Sequence, residues 1–585
     1  MKPFPFTPSY FDCRGLLVGL LLLLAGLGAR AQAPAWQLAV GNNPADGRCF
    51  IHKTVTDATG NVYVTGGFTQ QITLGSHTVT SAGGTDVFVG KWSPAASDFV
   101  WVQRAGGPAD DRSSSLAVNG ANVYLGGTFE SDTARFGSLF LVNETLPGAR
   151  NRTDAYVVKL TDAGGAAGFV WAQRVGGTEN DGIYALAVRG TDVYVAGIFD
   201  GARLNVGGSV LLNAGSTDLF VAKLSDAGST ARFEWARQAG GTSYDIPISL
   251  AVSGPSVYLV GYFASPTVSF GSSSLTNTIG NSFLPNAFVA KLTDAGGTAS
   301  FEWARQVGGI GVHEGTALAV QGTSVYMAGI FTGSADFGGI ALTASGEDVF
   351  LAKLTDAGGT ASFGWARQAG IASPSNRAAV SGLAVSGTSL YAAGMFYSTA
   401  DFGGNPLVSA GEGDLFVTKL SDAGNSARFE WAQRAGGTGL DVGTGLSLSG
   451  SRVYVNGYFM SPTATFGSHA LSGNGTSGRA SAFLASLTDA TMTATATTRP
   501  GDQLELFPNP ARAATSIGLP AVPGGALATL TLTDALGRTV STHPVQLLPR
   551  SSSFALPLIG LAPGVYWLRV QSTATQAMQR LVVQE

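Results

Sequence analysis

Short apolar runs alternate with turn residues over most of the chain. The runs are roughly five to eight residues long, as in SVYLVGYF (256–263) and DVFLAKL (348–354), and Gly, Asp, Asn and Ser bound them. Alternating or fully apolar runs of this length predict β-strands, and the residues between them predict tight turns. Over residues 36–487 no run repeats with the period of a helix, so the pattern predicts an all-β protein.

The predicted strands recur in a fixed order around a repeated tryptophan. Each unit contains an LAV strand, a VY strand, a DVF strand and a Trp strand such as FEWARQAGG (233–241), and successive tryptophans are 62 to 70 residues apart. The repeated tryptophans are Trp36, Trp101, Trp171, Trp235, Trp303, Trp365 and Trp431. Repeats of four short strands predict a seven-bladed β-propeller of four-stranded blades, with a linear solenoid as the alternative.

The two ends of the array favour the propeller. AWQLAVG (35–41) is a Trp strand with no unit before it, and the last unit ends at SAFLASL (481–487) with no Trp strand after it. If the first strand completes the last blade, the ring closes and its sheet edges are covered. A solenoid needs polar caps at both ends, and the sequence has none.

The N-terminus predicts export. Basic residues precede the apolar run GLLVGLLLLLAGLGA (15–29), and Ala29-Arg30-Ala31 follows it with the small residues that signal peptidase requires. We therefore expect residues 1–31 to be a signal peptide that is cleaved after Ala31, and we expect no transmembrane segment in the remaining chain. Cleavage leaves Cys49 as the one cysteine, so an intramolecular disulfide is excluded.

Three further segments follow the signal peptide. The propeller is predicted over 32–488, a linker rich in Thr and Ala over 489–502, and a separate unit over 503–585. Alternating strands with Leu-Gly and Pro-Gly turns predict that this last unit is a small Ig-like β-sandwich.

Composition narrows the set of partners. The net charge is −4 and charged residues make up 12% of the chain, so nucleic acid is not an expected partner. Apolar residues reach 45%, which is typical of a folded protein and not of a disordered one. We expect a monomer.

The repeated motifs resemble a known type of bacterial repeat. WARQ with its following glycines, VYLVGYF, ADFGG and DVFLAKLTDAGG recur in this order over residues 36–487. They are similar to the bacterial β-propeller repeats of the SBBP family. The resemblance implies a propeller in an exported protein, but it does not imply a particular ligand, because a fold alone does not specify a function.

The C-terminus resembles a secretion signal. FPNP (507–510), DALGR (534–538), GVY (564–566) and RLVV (580–583) occur in an order that resembles the type A C-terminal sorting domain of the type IX secretion system of Bacteroidota. The motif residues carried over are Pro508, Asn509, Pro510, Gly537, Gly564 and Tyr566. The resemblance implies the Sec pathway, then the type IX machinery as partner, and a protein that is secreted or held on the outer-membrane surface.

Catalytic motifs are missing from the sequence. There is no HExxH, no GxSxG elbow, no P-loop and no metal-ligand spacing among the histidines. The arginine beside the tryptophan shifts by one position, from Arg237 in WARQ to Arg434 in WAQR, which moves its side chain to the other face of the strand. A catalytic arginine could not shift in this way, so we expect no enzyme activity. A lysine recurs in six of the DVF strands, with Ser486 in its place in the last, and it is interpreted as a solvated stem packed on a neighbouring strand.

An aspartate recurs ten residues after most of the tryptophans. These residues are Asp46, Asp111, Asp181, Asp245 and Asp441. Because they lie in corresponding connections of the repeat, we expect them on one rim, where they could bind Ca²⁺ or a polar ligand. The alternative is that each aspartate accepts hydrogen bonds from its own loop. No other cofactor is expected.

Three functions fit these patterns. The preferred one is a cell-surface or secreted scaffold that binds an extracellular glycan or protein, with Tyr244 and Tyr397 as candidate aromatic contacts in rim loops. The first alternative is a polysaccharide-degrading enzyme, such as a lyase or a glycosidase, built on a propeller rim. The second is a structural component of the envelope or matrix.

Overall fold

The computed structural model describes most of the chain. The described residues are 33–43, 47–144, 152–277, 284–370, 377–473, 479–492, 504–507, 509, 511–519, 526–534, 538–548, 552–558, 560–572 and 576–584. Every regular element in them is a β-strand, and antiparallel pairing joins these strands into sheets.

The described residues up to 488 form seven blades, each of four main strands called a to d from the inside outward. Strands a are Cys49–Thr56, Asp111–Asn119, Asp181–Arg189, Asp245–Ser253, His313–Gln321, Ala378–Ser386 and Asp441–Ser449. Strands b are Val62–Phe68, Asn122–Phe129, Asp192–Phe199, Ser256–Phe263, Ser324–Asp336, Ser389–Phe396 and Arg452–Phe459. Strands c are Asp86–Ser93, Asp154–Asp162, Asp218–Asp226, Asn286–Asp294, Ala341–Asp356, Asp414–Asp422 and Ser481–Thr488. Strands d are Asp98–Gly106, Ala167–Val175, Ala231–Ala239, Ala299–Ile310, Ala361–Ala369, Ala427–Ala435 and, in blade 7, Trp36–Gly41.

A small hairpin lies between strands b and c. The separate hairpin strands are Gln71–Leu74 with His77–Thr80, Thr133–Phe136 with Leu139–Val142, Arg203–Val206 with Ser209–Leu212, Thr267–Phe270 with Ser273–Thr276, Thr399–Asp401 with Pro406–Val408, and Thr463–Phe466 with His469–Ser472. In blade 5 the hairpin is the continuation of strands b and c themselves. At six junctions of the described residues a hairpin pairs with the end of strand d in the preceding blade.

The inner strands pack in a closed ring. Each strand a contacts the strand a of the next blade, and Asp441–Ser449 of blade 7 contacts Cys49–Thr56 of blade 1. Blade 7 is completed from the N-terminus, since Trp36–Gly41 pairs antiparallel with Ser481–Thr488. The protein is therefore an all-β propeller whose two ends share one blade, and the pairing covers an edge that would otherwise be open.

A buried ion pair joins successive blades. In blade 4 the Nζ of Lys291 lies 2.7 Å from Oδ2 of Asp356, which ends strand c of blade 5. The hydroxyl of Tyr258 donates to the same oxygen at 2.6 Å, and Nε1 of Trp303 donates to Oδ1 at 3.1 Å. The backbone N–H of Gly358 adds a further bond at 2.9 Å. One carboxylate therefore satisfies three side chains of the neighbouring blade and fixes its own turn.

The same arrangement recurs at six of the seven junctions. The ion pairs are Lys91–Asp162, Lys159–Asp226, Lys223–Asp294, Lys291–Asp356, Lys353–Asp422 and Lys419–Asp489. These lysines are at most 8% exposed. The prediction of solvated lysine stems is therefore wrong, because adjacent blades cover both faces of strand c and the amine is neutralised across the junction instead.

The seventh junction, between blades 7 and 1, has neither charge. Ser486 occupies the lysine position of blade 7, and Pro94 occupies the aspartate position of blade 1. A buried charge without its partner is strongly destabilising. Replacing both the lysine and the aspartate therefore costs less stability than replacing only one of them. The N-terminal strand closes the ring at this same blade.

The C-terminal unit has two sheets around one core. Glu505–Phe507, Ala514–Leu519 and Ser552–Pro557 form the first sheet. The second sheet has the order Thr539–Leu547, Ala526–Asp534, Gly564–Ser572 and Gln576–Val583. Ile517 and Leu556 of the first sheet join Leu530 and Leu568 of the second in one buried cluster, which makes this unit a β-sandwich.

We predict that Asp356→Ala lowers the free energy of unfolding by about 3–5 kcal/mol, because Lys291 is left buried without a partner. Denaturant unfolding of the full chain measures this loss. The control is Arg428→Ala, which breaks an ion pair whose arginine is 79% exposed, where we expect less than about 1 kcal/mol. Equal effects of the two substitutions would show that the junction network does not stabilise the ring.

Candidate functional site

The strand order brings four kinds of strand end to one rim. Strands a and c begin there and strands b and d end there, because neighbouring strands of a blade are antiparallel. We call this the a-start rim. The loops from strand d to the next strand a lie on it, as do Tyr244, Tyr397 and the recurrent aspartates among the described residues.

The aspartates of the sequence prediction are buried at the start of strands a. Asp111, Asp181, Asp245 and Asp441 are each at most 2% exposed, whereas Asp46 lies outside the described residues. Each accepts a hydrogen bond from a backbone N–H of the preceding loop, at 2.6, 2.6, 2.8 and 2.5 Å in that order. Three of them also accept from a serine hydroxyl of the following loop. These bonds fix the loops that build the rim.

A second buried carboxylate lies beside several of these aspartates. It belongs to the first residue of strand c in the preceding blade, as Asp414 does beside Asp441. A Cβ placed on Gly436 would be 2.3 Å from Oδ1 of Asp414 and 2.6 Å from Oδ2 of Asp441, so only glycine fits between them. Burial, with a smaller contribution from Asp414, raises the pKa of Asp441 to about 6.

The four described aspartates sit at separate junctions between blades. Their hydrogen bonds correspond to the loop-fixing alternative of the sequence analysis. Among the described residues, no cluster of three or more His, Cys, Asp or Glu side chains is arranged to hold a metal ion. Calcium binding at the rim stays a prediction, which calorimetric titration of the full chain with Ca²⁺ tests.

The shifting arginine has two structural roles. In the WAQR blades Arg104, Arg174 and Arg434 form ion pairs with the first aspartate of strand c in their own blade. In the WARQ blades the guanidinium instead donates across the junction to a carbonyl of the next blade, as Arg305 does to Ala361 at 2.8 Å. Both roles stabilise the blades, and neither leaves the arginine in a shared site.

A group of three tyrosines lies on the a-start rim at blades 3 and 4. The rings of Tyr244 and Tyr262 meet edge to face with centroids 6.4 Å apart. Burial raises the pKa of Tyr262 to about 12, with contributions from Glu314 of blade 5, Tyr184 and Tyr244. All four side chains are partly exposed. Three blades therefore present aromatic faces, phenol hydroxyls and a carboxylate to one patch of surface. We call the three tyrosines, with Glu314 beside them, the first aromatic group.

A second aromatic group lies on the same rim at blades 6, 7 and 1. Phe50 and Tyr458 meet edge to face with centroids 4.9 Å apart, and Phe50 stacks on the ring of His52 at 6.4 Å. Burial raises the pKa of the Tyr458 phenol, and the nearby Tyr397 adds to this effect. These side chains are also partly exposed.

The central channel holds polar residues that the sequence analysis did not single out. Blade 1 has Lys53 and Thr54 where the other inner strands carry a small residue and Leu, and His52 precedes them. Lys53 and Thr54 line a cavity of about 90 Å³ together with inner-strand residues of blades 4 to 7. The signal was present in the repeat itself, because CFIHKTVT (49–56) is the inner strand that lacks the leucine of the LAV motif.

The structure describes three of the six sorting-motif residues, Asn509, Gly564 and Tyr566. Pro508, Pro510 and Gly537 lie outside the described residues. Asn509 acts as a clamp, since its Nδ2 donates to the carbonyl of Arg580 at 2.7 Å and its Oδ1 accepts from the N–H of Val582 at 2.9 Å. Gly564 begins the third strand of the second sheet. The hydroxyl of Tyr566 donates to the carbonyl of Ala562 at 2.8 Å, which fixes the turn before that strand.

Comparison with family models decides the nature of this unit. Residues 505–584 match the model described as a secretion system C-terminal sorting domain. The unit is a type IX sorting domain. A protein with this domain is a client of the type IX machinery, and it is secreted or attached to the cell surface. No helix among the described residues is long and apolar enough to cross a membrane.

The other comparisons concern the chain as a whole. No curated protein matches it. A Synechocystis apocarotenoid oxygenase mutant is 10% identical, with 80% of this chain and 95% of that chain covered and a TM-score of 0.32. Trypanosoma rangeli sialidase in complex with sialic acid is 8% identical, with 94% and 89% covered and a TM-score of 0.30. Similarity at this level says nothing about what the present chain binds or catalyses.

We predict that the propeller becomes less stable as the pH rises from 5 to 8.5. Burial, with a contribution from Asp154, raises the pKa of Asp181 to about 8, from 3.8 in an unfolded chain. The folded state therefore binds this proton more tightly, and the stability present at low pH is lost as the pH rises through that value. Denaturant unfolding of the full chain at several pH values measures the slope.

The variant Asp181→Asn should reduce this pH dependence, because the amide cannot ionise. Asp132→Asn changes an exposed carboxyl on the same rim and serves as the control. An unchanged slope in Asp181→Asn would contradict the assignment.

We predict that Asn509→Ala weakens export through the type IX machinery. The substitution removes two hydrogen bonds to the last strand of the sorting domain, each worth about 0.5–1.5 kcal/mol. In a bacterium with this machinery the full chain should accumulate in the periplasm, as immunoblots of cell fractions would show. Arg512→Ala, at an exposed neighbouring residue, is the control. Normal export of Asn509→Ala would mean that the clamp is dispensable.

Proposed function

We propose that this exported propeller binds an extracellular glycan on its a-start rim. The observation that carries the proposal is the gathering of six partly exposed aromatic side chains in two groups on one rim. They are Tyr184, Tyr244, Tyr262, Phe50, Tyr397 and Tyr458. The first group comes from consecutive blades, whereas Phe50 and Tyr458 of the second are far apart in the chain and meet because the ring closes.

The chemistry of the two groups suits sugars. A tyrosine offers a flat apolar face together with a polar hydroxyl, and it loses little conformational entropy when it binds. The apolar face of a sugar ring can stack on such a residue while its hydroxyls donate to an acceptor. Glu314 supplies an acceptor beside the first group. Burial raises the pKa of the Glu314 carboxyl, and the nearby charge of Glu347 adds to this effect.

The export route has a proposed first step at the N-terminus. We propose that residues 1–31 are a Sec signal peptide cleaved after Ala31, that the repeats are of the SBBP type and that the source is a member of the Bacteroidota. The support is the apolar run of the N-terminus, the repeated motifs and the type IX sorting domain. The mature protein is proposed to act as a monomer.

Aromatic substitutions test the binding proposal. We predict that Tyr262→Ala or Tyr458→Ala weakens glycan binding by at least about tenfold, because an aromatic contact is worth more than about 1.4 kcal/mol when it is buried by a ligand. A glycan array with the full chain identifies the ligand, and calorimetry with the array hit measures the loss.

The control is Phe140→Ala, which removes an aromatic side chain that is 60% exposed on the hairpin of blade 2. Binding should be unchanged in this variant. A glycan array without hits, together with hits on an array of surface proteins, would favour a protein ligand instead. Absence of any ligand would favour a structural role.

Cleavage of the bound glycan would distinguish an enzyme from a binding protein. We propose that the protein holds its glycan without cleaving it, because the arginine that follows six of the seven repeated tryptophans serves the blades. Incubation of the bound glycan with the full chain should release no reducing ends and no unsaturated products. Release that is lost in Glu314→Gln would establish a polysaccharide-degrading enzyme.

A further inference from the structure

The inner strand of blade 1 breaks the repeat of small residues along the channel. At the position before the leucine the other blades carry Ser or a smaller residue, and blade 1 carries Lys53. The six small residues are Ser115, Ala185, Ser249, Ala317, Gly382 and Gly445. At the next position six leucines face Thr54 of blade 1. One strand therefore brings an amine into a channel that is otherwise lined by small and apolar groups, while the Thr54 hydroxyl donates to the carbonyl of Tyr63 at 3.2 Å.

These groups border a cavity that is partly open to solvent. The cavity of about 90 Å³ is lined by Lys53, Thr54 and Ser249, by Ser381 and Gly382 of blade 6, and by Gly445 and four apolar residues. A single water needs about 10–15 Å³ by this measure. The space is therefore large enough for a small polyatomic anion such as acetate or sulfate.

Lys53 differs from the lysines of the repeat. Each of those six is neutralised by an aspartate of the next blade. For Lys53 the described residues provide neither an ion pair nor a hydrogen bond. The charged groups that act on the neighbouring His52 are Lys53 and Arg112, and neither adds a negative charge. Loss of solvent lowers the pKa of the Lys53 amine, and no carboxylate opposes this effect.

An unpaired ammonium in such surroundings needs a counter-charge. Burial of a charge without a partner is costly, and the repeat shows how this chain otherwise avoids that cost. The hydroxyls of Ser249 and Ser381 border the same cavity and have no hydrogen-bond partner among the described residues. Together with the amine they supply donors from three blades, which is the set that a carboxylate or sulfate accepts from.

We propose that the channel cavity binds a small anionic group, a carboxylate or a sulfate, on Lys53. The anion can be a free ion or the acidic substituent of a sugar, and the chemistry at Lys53 is the same in both cases. The proposal does not rest on glycan binding at the aromatic groups, since a free ion would occupy the cavity without them.

Calorimetric titration of the full chain tests the site. Sodium acetate, sodium sulfate and an oligogalacturonate are each added at constant ionic strength to the wild type, Lys53→Met and Lys53→Arg. We expect saturable one-to-one heat in the wild type, a loss of affinity of at least about tenfold in Lys53→Met, and partial retention in Lys53→Arg, because a charge-assisted hydrogen bond is worth about 1.5–3 kcal/mol.

Melting curves provide the control for folding and for general salt effects. Sulfate stabilises most proteins because it is excluded from their surfaces, so only a stabilisation that Lys53→Met lacks counts for the site. Arg428→Met removes a positive charge from an exposed pair on strand d and should respond like the wild type. Saturation by the free ions assigns a resident ion, and saturation by the oligogalacturonate alone assigns the acidic group of a glycan. Equal heats and equal melting shifts in wild type and Lys53→Met would overturn the proposal.

Discussion

The ion pair between the lysine of one blade and the aspartate of the next is the interaction on which this ring depends. At six junctions the carboxylate accepts from the lysine, and at the junction of blades 4 and 5 it also takes the tyrosine hydroxyl, the tryptophan N–H and an N–H of its own turn. Four donors on one buried carboxylate satisfy groups that adjacent sheets would otherwise bury unpaired. The network thus specifies the register of each blade against its neighbour, while apolar packing supplies the bulk of the attraction.

A ring held together in this way separates its framework from its surface. The residues that repeat, Trp, Tyr, Lys and Asp, lie between blades and are buried. The residues that vary, such as Tyr262, Tyr458 and Lys53, lie on the a-start rim or in the channel. A rigid framework with variable rim positions is the usual arrangement of a binding protein. The sorting domain places this surface outside the cell, where a glycan ligand would be met.

Much of the framework could be predicted from the sequence, and most of the site could not. The spacing of the tryptophans and the orphan strand at Trp36 predict the blades and the closing of the ring, because both are local signals repeated along the chain. The burial of the six lysines could not be predicted, because strand c is covered on both faces only in the assembled ring. The aromatic groups were missed apart from Tyr244 and Tyr397, since Phe50 and Tyr458 are 408 residues apart in the sequence and meet only after closure. Lys53 is visible in the sequence as a break in the repeat, but the cavity that it lines forms only when the small residues of the other blades lie opposite it.

Hydrogen–deuterium exchange of the full chain, with and without the best-bound glycan, tests the central claim most directly. Binding at the a-start rim predicts slower exchange in the loops and strand ends around Tyr244, Tyr262 and Tyr458, with the b–c hairpins and the sorting domain unchanged. Protection confined to the hairpins or to the sorting domain would contradict the account.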